Sequence, residues 1–227
     1  MSAWLLQDPL LPGPAQVLQV LLRETLHGEL LFHLGATLAR VGSAFVLAMG
    51  LGCALGMAMG RSARLNAALD GLLVLSLNLP ALVTMILCYV WFGLSDLAAI
   101  LAVALNKIPT VVVTLREGTR ALDRKLLEVA AVYQLPPLRR LGRVVLPQLV
   151  PYMLVAARSG LALIWKIVLV VELMGRPNGV GFQLSSYFHY FDIAGVLAYT
   201  LAFALVVISL EALILRPAER RFNRWRP

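Results

Sequence analysis

Among the ionisable side chains that stand inside long apolar runs of this sequence are Lys107, Arg158, Lys166 and Glu172. A charge in such surroundings is costly, and its default reading is functional. Lys107 has Thr110 and Thr114 on its helical face, at +3 and +7, and Asn106 beside it. Pro109 frees a backbone carbonyl nearby. Lys166 has Ser159 seven residues before it, so two of the chain's three lysines lie within apolar runs. Lys107, Asn106, Thr110 and Lys166 are therefore a candidate path favouring a small anionic or zwitterionic solute. The competing expectation is that the lysines pair with Glu172 or Glu211 and brace the helices. Arg158, Trp165 and Glu172 are spaced by seven and share one helical stripe. Glu172 reads as a gate or a structural partner, and Arg158 as a side chain that snorkels to an interface. His27, His33 and His189 are scattered without metal spacing. No Gly-x-x-x-x-Gly-Lys-Ser/Thr occurs, so the chain lacks the usual cradle for nucleotide phosphates.

The elements that position these residues follow from composition. Of 227 residues, 60% are hydrophobic and 14% charged. The mean hydropathy is +0.82. A soluble domain is about 45–50% apolar and about 25% charged, so these values exclude an ordinary soluble enzyme, a disordered tail and a disulfide-stapled scaffold. The net charge of +8 is that of a membrane protein with positive loops rather than a nucleic-acid binder. Cys53 and Cys88 lie in apolar runs and read as small hydrophobes. Five stretches reach the roughly 20 residues that a helical span needs: about 36–60, 72–94, 97–115, 150–174 and 193–215. The expected class is an all-α, polytopic helical bundle in a lipid bilayer. Residues 1–30 read as an external segment with a short amphipathic interfacial helix, Val17 to Leu31. Residues 31–227 form the transmembrane unit. Fourteen basic residues collect on one side, at Arg61 and Arg64, between Arg116 and Arg143, and from Arg216 to Arg226. That side is expected to be cytoplasmic, with the N-terminus outside and the C-terminus inside. Gly52, Gly56 and Gly60, spaced by four, predict close helix packing. The aromatic segment Tyr187-Phe188-His189-Tyr190 reads as an external interfacial anchor.

Polarity concentrates in the loop at about 116–149. Asp123 is the expected N-cap of a helix over about 124–134, ended by Pro136 and Pro137. A second short helix over about 138–145 is expected to stop before Pro147. On physical grounds the loop is either a knob for a soluble partner or a basic segment resting on anionic lipid. Glu128-Val129-Ala130, with Leu146-Pro147 closing the pattern nineteen residues after the glutamate, resembles the EAA loop of type I ABC importer permeases. That loop reads Glu-Ala-Ala, three residues, Gly, nine residues, Ile-x-Leu-Pro. Val129 replaces the first alanine, and Gln134 stands where the glycine belongs, with Pro136 and Pro137 expected to build the turn instead. The resemblance extends through Thr37-Leu38-Ala39-Arg40-Val41, Gly52 to Arg61, Asp70, Pro80, Trp91-Phe92-Gly93, Pro151-Tyr152, Trp165, Val171-Glu172-Leu173 and Gly179-Val180-Gly181. It is nearest to the nitrate/sulfonate/taurine branch, whose members usually carry a further span before the segment like Leu11-Pro12-Gly13-Pro14. Either an upstream start or a five-span form accounts for that difference.

The resemblance implies a MetI-like permease fold and a homodimer in the bacterial inner membrane. It implies a solute-binding protein on the periplasmic or extracellular side. It also implies a cytoplasmic ABC ATPase dimer that holds the ATP and magnesium, with no cofactor in this chain. Glu128, Ala130, Ala131, Gln134, Leu146 and Pro147 are then the residues that couple to the ATPase. The competing functions are a stand-alone channel or secondary transporter built on Lys107 and Lys166, and a membrane anchor without transport.

Overall fold

A computed structural model describes residues 12–215 and Pro217. The described residues form helices joined by short turns. They are α1 (Pro14–Leu26), α2 (Leu30–Arg61), α3 (Ala63–Asn78), α4 (Ala81–Phe92), α5 (Asp96–Arg120), α6 (Arg124–Val132), α7 (Pro137–Arg140), α8 (Leu146–Gly175), α9 (Val180–His189) and α10 (Ile193–Leu210), with π turns at Leu141–Val145 and Glu211–Leu215. Polar side chains mark several helix starts. Ser62 accepts from the Leu65 amide, Ser95 from Ala98, Asp123 from Lys125 and Asp192 from Gly195, which satisfies donors that a helix leaves open at its first turn. The segment at 216 and 218–227, with its expected basic cluster, lies outside the described residues, as does the Pro9 region.

Four helices are long and apolar enough to cross a membrane: Leu30–Arg61, Asp96–Arg120, Pro137–Gly175 and Ile193–Leu213. The expected span at 72–94 is not one straight helix. It is the pair α3 and α4, bent by 100° at Leu79–Pro80, which together have the length and apolarity of a broken span or of a re-entrant loop. Pro80 has no amide to continue α3 and holds Leu79 extended, at φ −70° and ψ 125°. The hydropathy of the run is blind to that break.

The loop region also departs from expectation. The second short helix does not stop before Pro147. From Pro137 the chain runs through the π turn into α8, giving 39 residues without a break. Leu146 donates its amide to the Leu141 carbonyl, one residue wider than an α turn, and this wider turn lets Pro147 enter the helix. Likewise α5 continues to Arg120, so much of 116–149 belongs to the ends of two long helices.

Packing centres on α5, which lies against both α2 and α8. Glycine makes the first contact possible. A β-carbon at Gly52 would stand 2.6 Å from Val111 Cβ, at Gly56 2.7 Å from the Val112 carbonyl oxygen, and at Gly60 2.5 Å from Thr119 Cβ. The three glycines therefore form the flat strip on α2 that seats α5. One core cluster joins Val41, Ala44, Met85, Ala102, Ile164 and Val168. A second, toward the basic end of the bundle, joins Cys53, Val111, Leu115, Val145 and Leu149. Cys53 and Cys88 are both buried free thiols. Helix α1 buries none of its residues. It rests against α10, where Leu21 meets the cluster of Leu30, Val180 and Tyr199.

Candidate functional site

Two sites emerge, one at each end of the bundle. At the basic end, α6 hangs between α5 and α7. Asp123 caps it through the Lys125 amide at 2.8 Å, and the Asp123 amide donates to Gln148 Oε1 at 2.9 Å. The Gln148 amide in turn donates to the Val144 carbonyl at 2.8 Å. The start of α6 is thus tied to the root of α8. Ala130 is 2% exposed, which seats the helix, while Glu128 and Ala131 face outward.

Gln134 takes the left-handed conformation, with φ at +49°. Its amide donates to the Ala131 carbonyl at 2.9 Å, and the Leu135 amide donates to the Ala130 carbonyl at 3.0 Å. These two bonds make a Schellman ending, the turn that glycine normally supplies. Pro136 and Pro137 therefore do not substitute for the missing glycine. Gln134 adopts its backbone geometry directly, and α6 ends at Val132, before the prolines. Leu146 is half-buried and Pro147 exposed, at the root of α8. The outward face carries large apolar groups beside Glu128: Val129 at 52% exposure, Tyr133 at 76% and Val132 at 80%.

At the opposite end, Glu172 is fully buried and fully bonded. Arg40 Nη1 donates to Glu172 Oε1 at 2.6 Å, and Thr37 and the Gly181 amide donate to Oε2 at 2.9 Å each. The Val180 amide donates to Thr37 Oγ1 at 2.8 Å. Arg40 also donates to Asp96 at 2.7 Å through Nε, and to the Asn178 carbonyl and side-chain oxygens. Asp96 is shared with Arg176 at 3.1 Å. The Gly179 amide donates to His33 Nδ1 at 3.0 Å, which leaves the ring proton on Nε2. The turn after α8 needs its glycines. Gly179 has φ +109°, and a β-carbon there would meet Glu172 Cδ at 2.3 Å, while one at Gly181 would meet the Leu169 carbonyl oxygen at 2.2 Å. One buried carboxylate therefore joins α2, α8 and the start of α9, and Arg40 links them to α5. On α9, burial and then the charges of Glu24 and Asp192 push the Tyr187 phenol above its ordinary value, so it stays protonated.

The stripe of Arg158, Trp165 and Glu172 does not act as a unit. Glu172 pairs with Arg40, and Arg158 with Glu211 at 3.5 Å. The partner that sequence reasoning missed, Arg40, had a visible signal: it is an arginine inside the apolar run at 36–60. The two lysines are also apart in environment. Lys107 is 2% exposed, and its Nζ has no hydrogen-bond partner among the described residues. Its side chain lies over Gly160, where a β-carbon would stand 3.0 Å from Lys107 Cε. Neither Glu172 nor Glu211 braces it. Asn106 and Thr110 are half-buried beside it, and Lys166 is exposed on α8.

The family model described as "binding-protein-dependent transport system inner membrane component" matches residues 48–216. A protein named as an aliphatic sulfonates transport permease, SsuC of Bacillus subtilis (strain 168), is 32% identical over 95% of this chain and 78% of its own length. The taurine transport system permease protein TauC of Escherichia coli (strain K12) is 30% identical over 95% of this chain and 80% of its own. The bicarbonate transport system permease protein CmpB of Synechococcus elongatus is 25% identical over 84% and 67%. A stand-alone channel is not favoured by these likenesses, which with the all-helical, multi-pass architecture lead to one conclusion: the chain belongs to the family of binding-protein-dependent transport system inner membrane components, as the membrane subunit of an ABC importer, a transport component and not an enzyme, that works with an ATPase and a solute-binding protein.

Proposed function

We propose that two copies of this chain form the translocation path for a small anionic or zwitterionic solute across the bacterial inner membrane. The N-terminus is outside, and the basic end faces the cytoplasm, where each α6 docks in one subunit of the ATPase dimer. The observation that carries this reading is the outward face of α6. Val129, Val132 and Tyr133 surround Glu128 on an exposed, otherwise basic surface, and apolar area of that kind marks a protein contact. The bond from Asp123 to Gln148 supports a mechanical role, because a push on α6 reaches the root of α8. ATP-driven closure of the ATPases then moves α6 and α8, and the bundle alternates between inward- and outward-facing forms. The solute class is supported by relatives named for sulfonates, taurine and bicarbonate, and by the cations Lys107 and Lys166. In this reading Glu128, Ala130, Ala131, Gln134, Leu146 and Pro147 shape the dock.

The test is affinity purification of the tagged chain in mild detergent, wild type beside Glu128→Arg. Wild type is expected to bring down an active ATPase and the variant to lose it while melting at the same temperature. Wild type purifying without an ATPase would remove the coupling assignment.

A further inference from the structure

Three consecutive amides in the turn after α8 are each held by a buried side chain: Gly179 by His33, Val180 by Thr37 and Gly181 by Glu172. A hydroxyl does not titrate near neutral pH, and the Glu172 carboxylate is paired with Arg40. His33 differs, because imidazole gains and loses its proton between about pH 5 and 8. It is 2% exposed, and its Nδ1 accepts from the Gly179 amide at 3.0 Å. The chain fixes the direction of that N–H, so Nδ1 is bare and the ring proton sits on Nε2. Glu29 Oε2 lies 3.3 Å from Nε2 and accepts it. The Gln183 side-chain amide is 2.7 Å from the same nitrogen and must present its oxygen.

A second ring proton would stand between Nδ1 and the Gly179 nitrogen, where two donors face each other. The Gly179 amide is buried, so losing its acceptor is costly. The charges around the ring are divided. Glu29, at the entry to α2, and Glu24 of α1 attract an imidazolium, whereas Arg40 of α2 repels it. From α8, Glu172 is already neutralised by Arg40. Helices α9 and α10 face the ring with Gln183, Phe182 and Tyr199, which carry no charge in this range.

We propose that His33 is an acid-operated clasp. As a neutral ring it holds the α8–α9 turn to α2, and on taking up a proton it lets the turn go. The inference rests on the orientation proposed above only for the side of the membrane. That orientation puts the clasp outside, where the acidity of the medium sets how firmly α2, α8 and α9 are joined. The release itself needs neither ATPase nor solute.

The experiment is amide hydrogen exchange of the purified permease in phosphatidylcholine nanodiscs at pH 8 and pH 5, corrected for the intrinsic exchange rate at each pH. Protection of Gly179–Gly181 is expected to fall by about tenfold or more in acid, as loss of one buried donor's bond does. The strip at Gly52–Gly60 is expected to keep its protection. His33→Asn, whose side-chain oxygen replaces Nδ1 as an acceptor that does not titrate, is expected to hold the turn equally at both pH values. Equal protection in wild type at both pH values would overturn the proposal. So would a pH dependence retained in His33→Asn, or a loss of protection that spreads to the glycine strip. The chain has three histidines, so ring-nitrogen shifts of nitrogen-15 histidine, assigned with His27→Gln and His189→Gln, read His33 in its native setting. The Nε2–H tautomer is expected at pH 8 and the imidazolium at pH 5, and a ring still neutral at pH 5 would overturn the proposal as well. Neither measurement involves an ATPase, so failure here leaves the importer reading to its own test.

Discussion

At the scale of single residues, the two most deeply buried charges in the helices have opposite fates. Glu172 is surrounded by donors, whereas the Lys107 ammonium has no acceptor among the described residues. Removing one partner of a buried pair leaves the other charge stranded, at a cost of about 3–5 kcal/mol. Arg40→Leu is therefore expected to lower the melting temperature of the purified protein sharply. The double variant Arg40→Leu/Glu172→Leu should recover most of the loss, and thermal melts of the three proteins in one detergent would check it. Lys107→Met carries the reverse expectation, because replacing an unpaired buried ammonium with an apolar group of similar length relieves a desolvation cost. It should melt higher than wild type. Uptake by the same variant tests the path role: reduced uptake with raised stability supports it, and normal uptake removes it at either melting temperature. Gln134 is the third case. A left-handed backbone costs an L-residue about 1–2 kcal/mol, so Gln134→Gly should stabilise by about 1 kcal/mol, measurable by denaturation, with ATPase recovery unchanged.

At the scale of elements, the α2–α5 contact depends on absent side chains. A β-carbon at Gly56 would already crowd the Val112 carbonyl and Leu115 Cβ at 2.7 and 2.8 Å. Gly56→Leu must push α5 away and is expected to abolish stable purification, whereas Gly50→Leu, where a β-carbon meets nothing within 4 Å, should be tolerated. Size-exclusion profiles of the two variants would separate them. Four of the five expected spans correspond to long helices, because apolar runs of that length have few alternatives in a bilayer. The span at 72–94 broke at Leu79–Pro80 for a reason that hydropathy averages away. The N-cap at Asp123 was legible, since a short acceptor before a helical pattern has a local use. The passage of Pro147 into α8 was not, because the five-residue π turn at Leu141–Val145 just before it leaves no signature of residue type.

At the scale of the whole molecule, the charge asymmetry seen in the sequence becomes two ends with different tasks. The basic end holds α6, tied to α8 by Asp123 and Gln148. The other end is held by Arg40, Glu172 and the glycine turn at Gly179–Gly181. The 39 residues from Pro137 to Gly175 connect the two, so in the proposed coupling a displacement of α6 would be carried to where α2, α8 and α9 meet. Cysteine labelling in intact cells checks the orientation: a cysteine at Ser62 should be protected from an impermeant reagent and one at Ser185 labelled.

The sequence by itself determined the class of protein, the approximate spans, the loop motif and the side on which basic residues gather. Each of these rests on composition, local periodicity or short spacing, which act without knowledge of distant residues. Only the tertiary structure decided which charges meet. Arg40 and Glu172 are 132 residues apart in the chain, and nothing local distinguishes their pairing from the stripe of Arg158 and Glu172. It likewise separated Lys107, sealed over Gly160, from Lys166, exposed on α8, because burial is set by the neighbouring helix and not by the run in which a residue stands.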